Sequence, residues 1–505
     1  MKAIRNIIRK ISLGSINTIR HLRNPEKYKS IDFLYSLLDD ENVKLNDKAE
    51  ENKNIIIPFI CFANTVYLFK NSAAYVTNEK EAKSMIRRGA ALLITDKDYK
   101  EYPCMVCDNP ENVLYRLCRY YRDLSAETRT IAVTGSIGKT TTKDMVGIVC
   151  KTFYKTYYSL RSENCLDIIS YNVQHIPKRA EVYLQEVTEN VPEGGKHFSY
   201  ILTPELVIIT AIDQAHFEIF GSYDKIVENT CTITQNMTPD GKVIVNVDEF
   251  NRFDLLNGRK IVTVSTKTQN ADYYAENIKM DERGLTFDVI ISKNMEQYHV
   301  RLYDIFAAHN VICAISAFAA GVEIGVPPSK VVEGLAQYRT SGVRQNVFTA
   351  KDGVLVYADC FNAVVKSVKA AVNTCDLIPV KGRRIAIVGD IEEAGELTES
   401  CHKEVIECLA QSKFDTIFTV GLKMKKAVSN STVSQNKQVD SFDNVKMMMD
   451  NVHSLAKAGD LVLLKGSHAN SLEKCIEKFW PKEYKERCLS VNRENHRHTW
   501  KSMFY

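Results

Sequence analysis

The sequence lacks several features that would each point to a particular class of protein. It has no apolar run of about 18 residues, so no membrane-spanning helix is expected. It has no internal repeat and no low-complexity tract. Its net charge is only +4, so nothing overall demands a nucleic acid or a membrane as a partner. Its 14 cysteines are scattered rather than arranged in a disulfide framework, which indicates reduced thiols in a cytosol.

What is present is the composition of a soluble globular protein, with 45% hydrophobic and 25% charged residues. A chain of 505 residues is too long for one core, so several domains are expected. Strand-like and helix-like segments alternate; EKEAKSMIRRGAALLITD, for example, predicts a helix closed by Gly89 and then a strand. The sequence predicts an α/β protein of three domains, with polar boundaries in YYRDLSAETR and QYRTSGVRQN, at residues 1–126, 127–338 and 339–505.

The first 29 residues depart from the even distribution of charge. They carry eight Lys or Arg residues against one acidic residue, with Ile4, Ile7, Ile8 and Ile11 on one helical face. A basic amphipathic helix of this kind can lie on an anionic membrane surface. Packing of the helix on its own domain is the alternative, and both stay open. No apolar core and no small-residue cleavage site follow, so a secretory signal is not expected.

The segment IAVTGSIGKTTTKDM predicts a phosphate-binding loop between a strand and a helix. Gly135 and Gly138 would form the turn, and a helix N-terminus near Lys139 would direct N–H groups at a polyphosphate. Lys139 is expected to contact the β- and γ-phosphates and Thr140 to bind magnesium. Val133 stands where the general pattern GxxxxGK[ST] has a glycine, so only the short form GxxGKTT is present. An ordinary strand-to-helix turn with a surface lysine is the alternative.

Polar residues also follow the predicted strands, at the edge where this loop is expected. Glu186 ends EVYLQEV, where a buried carboxylate needs a partner such as a magnesium ion beside the nucleotide. The other polar residues just beyond a strand end are His216, Glu218, Asp359, Asn362 and Asp390. Ligand sites of parallel α/β sheets lie at the carboxyl ends of the strands, so these residues are expected to converge near the loop.

The order of these motifs resembles the Mur ligase family. TGSIGKTTTK is followed by Glu186, AHFEIFGS, HN at residues 309–310, DCFNA, GDIEEAGELTESCH and LKGSH, over roughly residues 130–475. The resemblance implies a small N-terminal α/β substrate domain, a central P-loop ATPase domain and a C-terminal Rossmann-like domain. It also implies a cytoplasmic enzyme that uses ATP and Mg²⁺ to join a carboxylate to an amine through an acyl phosphate, forming ADP and phosphate.

The resemblance further implies roles for individual residues. The catalytic set is Lys139, Glu186 and His216, and the metal set is Thr140, Glu186 and His216. The nucleotide-binding set is Gly135, Gly138, Lys139, Thr140, Thr141, Asn310, Arg344 and Asp359. The substrate-binding set is Asn164, Asn362, His402 and Lys465. The implied partners are small molecules, a carboxylate and an amine or amino acid, and no nucleic acid.

One departure from the family pattern concerns the metals. Members have a lysine shortly after the FGS motif that is carbamoylated and acts as a metal-bridging carboxylate, and here Thr230 aligns with it. Thr230 cannot be carbamoylated. A second metal would then be absent, or held through another group. Lys225 in a shifted helical register and Glu228 as a carboxylate are the candidates.

Further departures affect substrate recognition. Cys165 follows Asn164 where the family has paired asparagines, Val364 replaces an asparagine and His468 replaces an arginine. The family's uridine-site motif is absent from residues 54–89. The expected fold is therefore retained while the recognition surface differs, and a UDP-sugar substrate does not follow from the resemblance.

Two functions of different class stay open. The first is an active ATP-dependent carboxylate–amine ligase. The second is a catalytically weakened, Mur-like nucleotide-binding protein that acts as a partner or regulator. Lys139, Thr140, Glu186 and His216 favour the first function, and Thr230 favours the second.

Overall fold

The computed structural model describes residues 27–489 except 39–41, 63–69, 160–163, 214–216, 282, 341, 393 and 453. Three large sheets follow one another along this part of the chain, within residues 43–107, 129–303 and 346–465. The predicted three-domain α/β architecture is confirmed. The basic segment predicted as an amphipathic helix lies outside the described residues up to residue 26.

The first sheet has five strands in the order β2-β7-β6-β5-β4, parallel except for β2. Asn78 caps the helix of EKEAKSMIRRGAALLITD, and Gly89 follows that helix with a φ of +104°, so the predicted helix and stop are confirmed. A separate pair, β1 and β3, is antiparallel. The elements are β1 Lys29–Ser30, α1 Ile31–Ser36, β2 Val43–Leu45, α2 Asp47–Glu51, β3 Ile56–Ile57, β4 Ile60–Phe62, β5 Ala73–Tyr75, α3 Glu79–Arg87, β6 Leu92–Thr95, β7 Cys104–Cys107 and α4 Pro110–Asp123.

The central sheet has nine strands in the order β16-β15-β14-β13-β12-β11-β8-β10-β9. Its strands are parallel from β9 to β14, and β15 and β16 extend it antiparallel. The strands are β8 Arg129–Thr134, β9 Thr156–Tyr158, β10 Val182–Glu186, β11 Leu206–Ile209, β12 Lys242–Asn246, β13 Lys260–Ser265, β14 Tyr273–Asp281, β15 Gly284–Ile291 and β16 Glu296–Tyr303. The helices are α5 Lys139–Lys151, α6 Leu166–Gln174, α7 Gly194–Leu202, α8 Phe217–Phe220, α9 Tyr223–Cys231, α10 Asn310–Glu323 and α11 Pro328–Gln337, with 3₁₀ turns at Thr232–Thr234 and Phe253–Leu256.

The last sheet has six strands in the order β17-β18-β22-β19-β20-β21, parallel except for β17. The strands are β17 Asn346–Thr349, β18 Leu355–Asp359, β19 Arg384–Gly389, β20 Thr416–Val420, β21 Gln438–Phe442 and β22 Leu461–Lys465. The helices are α12 Val365–Leu377, α13 Thr398–Gln411, α14 Leu422–Ser429, α15 Val433–Asn436, α16 Val445–Asn451, α17 Glu473–Phe479 and α18 Pro481–Glu483, with 3₁₀ turns at Gly395–Leu397 and His468–Asn470 and a π-helical turn at Tyr484–Leu489.

The apolar runs that predict strands coincide with buried central strands of these sheets. All five residues of β10 and of β22 are buried, because helices cover both faces of a parallel sheet. The polar stretch YYRDLSAETR, predicted as a domain boundary, is partly helical and partly buried. Helix α4 continues into it as far as Asp123, and Arg122 is buried, with a bond of 2.7 Å to the Thr128 carbonyl.

The cysteines are free thiols, as the sequence predicts. Cys104 and Cys107 have a Cys-x-x-Cys spacing, but both lie on β7, where residues three apart point to opposite faces. Within the described ranges, no helix has the length and apolarity to cross a membrane.

Gln174 joins the first domain to the central one. It lies at the end of α6, and its side chain accepts a hydrogen bond from the Ile60 N–H at 2.8 Å and donates to the Ile60 carbonyl at 2.9 Å. The amide also donates to the Ser170 carbonyl at 2.8 Å, and the residue is 5% exposed. Strand β4 is thereby bonded to the helix that follows the phosphate-loop region in sequence.

We expect Gln174→Ala to lower the free energy of unfolding by about 1–3 kcal/mol, because the buried Ile60 N–H loses its side-chain acceptor and the Ile60 carbonyl keeps only the longer bond from the Ser170 hydroxyl, at 3.5 Å. Chemical denaturation of the whole chain measures the change. Gln411→Ala, at an exposed amide on the last residue of α13, is the control and should be neutral. Equal stability of the two variants would contradict this account of the domain contact.

Candidate active site

The phosphate loop connects β8 to α5 and has left-handed backbone at both glycines. Gly135 has a φ of +123°, and a Cβ there would lie 2.3 Å from the Thr210 hydroxyl oxygen. Gly138 has a φ of +88° and caps α5. The N–H groups of residues 136 and 137 donate to the Ala211 carbonyl at 2.9 and 3.0 Å. The loop is therefore anchored to the end of β11, and only glycine fits where it leaves β8.

The first turn of α5 consists of the predicted nucleotide-binding residues Lys139, Thr140 and Thr141. The N–H groups of a first helical turn have no acceptor within the helix, which suits an anion. Val133, which replaces the first glycine of the general pattern, lies fully buried in β8 between Glu186 and Ile208 of the neighbouring strands. This position is inside the sheet and needs no glycine.

Lys139 points back over the loop. Its Nζ donates to the Gly135 carbonyl and lies 2.7 Å from Oε2 of Glu189. The side chain of Glu189 is only 1% exposed, and that of Lys139 is 13% exposed. Sequence reasoning missed Glu189. The available signal was its position three residues after Glu186, at the same strand end.

Glu186 ends β10 next to the loop and is 1% exposed. Its Oε1 accepts a hydrogen bond from the side-chain amide of Asn164 at 3.0 Å, so these two predicted residues meet. Its Oε2 accepts no hydrogen bond from any residue that the structure describes, and the Lys143 Nζ lies 4.0 Å from it. A buried carboxylate oxygen with an open lone pair suits a hard cation such as Mg²⁺.

The described residues contain no group of three or more His, Cys, Asp and Glu side chains that would hold a metal by itself. Mg²⁺ commonly keeps several waters and binds through one or two carboxylates plus substrate phosphates, so Glu186 and Thr140 fit such a site. His216 lies outside the described residues.

Helix α9 carries the position aligned with the family's lysine. Thr230 is 2% exposed, and its hydroxyl donates to the Ile226 carbonyl of the same helix at 2.8 Å. Lys225 and Glu228, the candidate replacements, are both exposed. Asn229 is buried, and its side chain donates to the carbonyls of Glu189 and Val191 at 2.8 and 3.1 Å.

Across the domain boundary, α10 and the segment before β17 share an amide network. Asn310 is 1% exposed and donates from Nδ2 to Oε1 of Gln345 at 2.8 Å, and Oδ1 of Asn310 has no hydrogen-bond partner within the described part of the chain. Gln345 Nε2 lies 2.6 Å from Nε2 of His309. Burial lowers the pKa of His309, so its ring stays neutral near pH 7. The buried Asn310 oxygen can accept a bond from an amine such as that of adenine.

Gln345 also reaches the last domain. Its backbone N–H donates to Oδ1 of Asp359 at 3.3 Å, and Oδ2 of Asp359 lies 3.2 Å from Nζ of Lys465, which is 1% exposed. Lys465 also donates to the Asn362 carbonyl, so the predicted residues Asp359, Asn362 and Lys465 form one cluster. Gln345 has a φ of +50° and was not predicted, since nothing in its local sequence marks it.

Arg344 lies at the same junction. Its guanidinium carbon lies 3.7 Å from the centre of the Phe361 ring, a cation–π contact. Burial lowers its pKa, while Glu186, Asp359 and Asp144 favour the charged form. The Arg344 guanidinium therefore interacts electrostatically with carboxylates of both the central and the last domain.

Two residues in the GDIEEAGELTESCH motif, His402 and Asp390, make hydrogen bonds to backbone groups. His402 is 1% exposed, with Nε2 accepting from the Ile391 N–H at 3.0 Å and Nδ1 lying 2.6 Å from the Thr398 carbonyl. Asp390 accepts from the Met424 N–H at 2.7 Å, at the start of α14. His402, predicted to bind substrate, thus uses both ring nitrogens to hold the loop after β19.

Two family models match the chain. The Mur ligase middle domain matches residues 133–318, and the glutamate ligase domain of Mur ligases matches residues 343–468. Together the two models cover more than half of the sequence.

Individual relatives agree with these models. A UDP-N-acetylmuramoyl-tripeptide–D-alanyl-D-alanine ligase of Bacillus subtilis is 28% identical over 77% of this chain and 84% of its own, and the Escherichia coli enzyme of that name is 24% identical over 76% and 84%. A crystal structure of MurF from Acinetobacter baumannii aligns with a TM-score of 0.77 and 20% identity, over 90% of this chain and 99% of its own. MurF of Thermotoga maritima in complex with ADP aligns with a TM-score of 0.70 and 20% identity, over 85% and 99%.

We expect Gly135→Ala to weaken nucleotide binding, because the new Cβ meets Thr210 and the backbone must leave its left-handed conformation. A strain of about 1–3 kcal/mol corresponds to a loss of roughly tenfold to a hundredfold in affinity. Calorimetric titration with a non-hydrolysable ATP analogue measures it. Gly258→Ala is the matched control, since Gly258 also has a positive φ but no atom within 4 Å of the added Cβ. Unchanged affinity in the Gly135 variant would contradict the assignment of the loop.

Proposed function

Because this chain belongs to the Mur ligase family, we propose that it is an ATP-dependent ligase that joins a carboxylate to an amine and releases ADP and phosphate. The observation that carries this proposal is the position of the phosphate loop beside the buried Glu186 oxygen, which accepts no hydrogen bond from the residues that the structure describes. The two lie on adjacent parallel strands. This arrangement at the carboxyl ends of the two strands supports a site for a polyphosphate and its cation.

The proposed reaction has two steps because a carboxylate has no good leaving group. A carboxylate is a poor acyl donor, so its oxygen first takes the γ-phosphoryl group of ATP, which gives an acyl phosphate and ADP. The amine nitrogen then attacks the carbonyl carbon, the phosphate leaves, and the amine loses a proton. Such transfer depends on positioning and charge neutralisation rather than on a protein nucleophile.

We assign the roles accordingly. Lys139 and the first turn of α5 bind the β- and γ-phosphates. Thr140 and Glu186 hold Mg²⁺, which neutralises phosphate charge when bound, and His216 is a proposed ligand of a further ion. The buried oxygen of Asn310 accepts from the adenine amine, and Asp359 and Arg344 bind the ribose side of the nucleotide.

The substrates are proposed as a class. The named relatives act on a UDP-N-acetylmuramoyl-tripeptide and D-alanyl-D-alanine, so this pair is the first to test. The missing uridine-site motif in the first domain supports a different carboxylate, which a panel of acids and amino acids would reveal. We also propose that the domains divide at residues 126 and 338, between the sheets, and that Asn164, Asn362 and Lys465 bind the substrates.

If Lys139 neutralises the transferred phosphoryl group, Lys139→Ala should lower amine-dependent ADP release by about 10³-fold or more. The melting temperature should also fall, because the buried Glu189 loses its cation, so turnover is measured well below the melt. Lys196→Ala, at an exposed lysine of α7, is the control and should keep full turnover. Turnover within about tenfold of wild type in the Lys139 variant would exclude this role.

Activity should not respond to added bicarbonate, because Thr230 cannot carry a carbamate. Phosphate release is measured in decarbonated buffer and after addition of bicarbonate. Lys225 is the exposed lysine of α9 that a shifted register would use, so Lys225→Gln is the companion variant. An increase with bicarbonate in the wild type that is lost in Lys225→Gln would restore a carbamoylated lysine and refute the alignment at Thr230.

A further inference from the structure

Glu189 is a buried charge that the proposed roles leave unused. Its side chain is 1% exposed and lies 2.7 Å from Lys139 Nζ, the cation assigned to the phosphates. Glu186, three residues earlier, faces Asn164 and lies 4.0 Å from Lys143. The two carboxylates at the end of β10 therefore face different cations.

Helix α9 fixes the backbone that carries Glu189. The buried Asn229 amide donates to the carbonyls of Glu189 and Val191, at 2.8 and 3.1 Å. The next residue of the helix, Thr230, turns its hydroxyl onto the Ile226 carbonyl and brings no ionisable group. Glu189 therefore supplies a buried negative charge beside Lys139.

Nucleotide binding changes the charge balance around this carboxylate. Lys139 cannot neutralise both Glu189 and the β- and γ-phosphates fully, since one positive charge then faces several negative ones. Leaving a carboxylate buried without a compensating charge is strongly unfavourable. A divalent cation between the carboxylate and the phosphates removes the repulsion and uses the oxygen ligands that Mg²⁺ prefers.

We propose that Glu189 is a ligand of a second divalent cation that enters with the nucleotide, separate from the ion at Thr140 and Glu186. As this cation binds, Glu189 exchanges Lys139 for the metal, and Lys139 becomes available to the phosphates. The proposal rests on the proposed function, because it requires ATP at the phosphate loop.

The test counts Mn²⁺ ions bound to the full chain in the presence of a non-hydrolysable ATP analogue, by electron paramagnetic resonance. The wild type should bind a second ion, and Glu189→Gln, which keeps the shape and removes the charge, should lose that ion while still binding the analogue. Glu193→Gln, at an exposed glutamate in the same loop, should keep it. Glu189→Asp keeps the charge and should keep the second ion, which serves if the glutamine variant does not fold.

The outcomes separate this inference from the function it rests on. A wild type that binds no analogue would overturn the ligase proposal and this inference with it. A wild type that binds the analogue with a single Mn²⁺ would overturn the inference and the further ion assigned to His216, but not the ligase proposal. A Glu189→Gln variant that keeps an unchanged ion count and binds the analogue more tightly without metal would also overturn the inference. Glu189 would then be only a counter-ion of Lys139.

Discussion

The parallel register of β8 with its two neighbours is the constraint on which the candidate site depends. Val133 lies level with Glu186 on β10 and with Ile208 on β11. The register therefore places three groups side by side at the carboxyl ends of the strands. They are the phosphate loop, the buried Glu186 carboxylate and the Ala211 carbonyl that anchors the loop. A shift of one residue would turn Glu186 to the opposite face of the sheet and into the apolar packing.

A short connecting segment joins the candidate site to the last domain. Residues 344 and 345 follow α11 and precede β17, so they lie in the segment that connects the central domain to the last domain. Gln345 bonds to Asn310 on one side and to Asp359 on the other. Gln345 therefore links the proposed adenine contact of the central domain to the proposed ribose contact of the last domain.

The sequence predicts the parts of this architecture that rest on local signals. Apolar runs mark β8, β10 and β22, and the glycines of the phosphate loop mark a turn that only glycine can form. The antiparallel strands β15 and β16 and the residues Glu189 and Gln345 could not be predicted in this way. The positions of Glu189 and Gln345 depend on contacts between segments far apart in sequence, such as the bond between Asn229 and the Glu189 carbonyl. Strands β15 and β16 instead pair with their neighbours in sequence, as two successive hairpins. His402 is the opposite case. Its motif predicts a substrate-binding residue, but both of its ring nitrogens contact backbone groups, the Ile391 N–H and the Thr398 carbonyl.

Two lysines of the candidate site are each balanced by a buried carboxylate, and a ligand that binds to either lysine must compete with that carboxylate. Lys139 faces Glu189 at 2.7 Å, and Lys465 faces Asp359 at 3.2 Å. Breaking a buried pair by removing one partner costs about 3–5 kcal/mol, whereas exchanging the partner for another charge avoids most of that cost. An anion that arrives alone must compete with Glu189 for the lysine. An anion that arrives with a cation offers each member of the Lys139–Glu189 pair a new partner, which is the exchange that the proposed second cation requires.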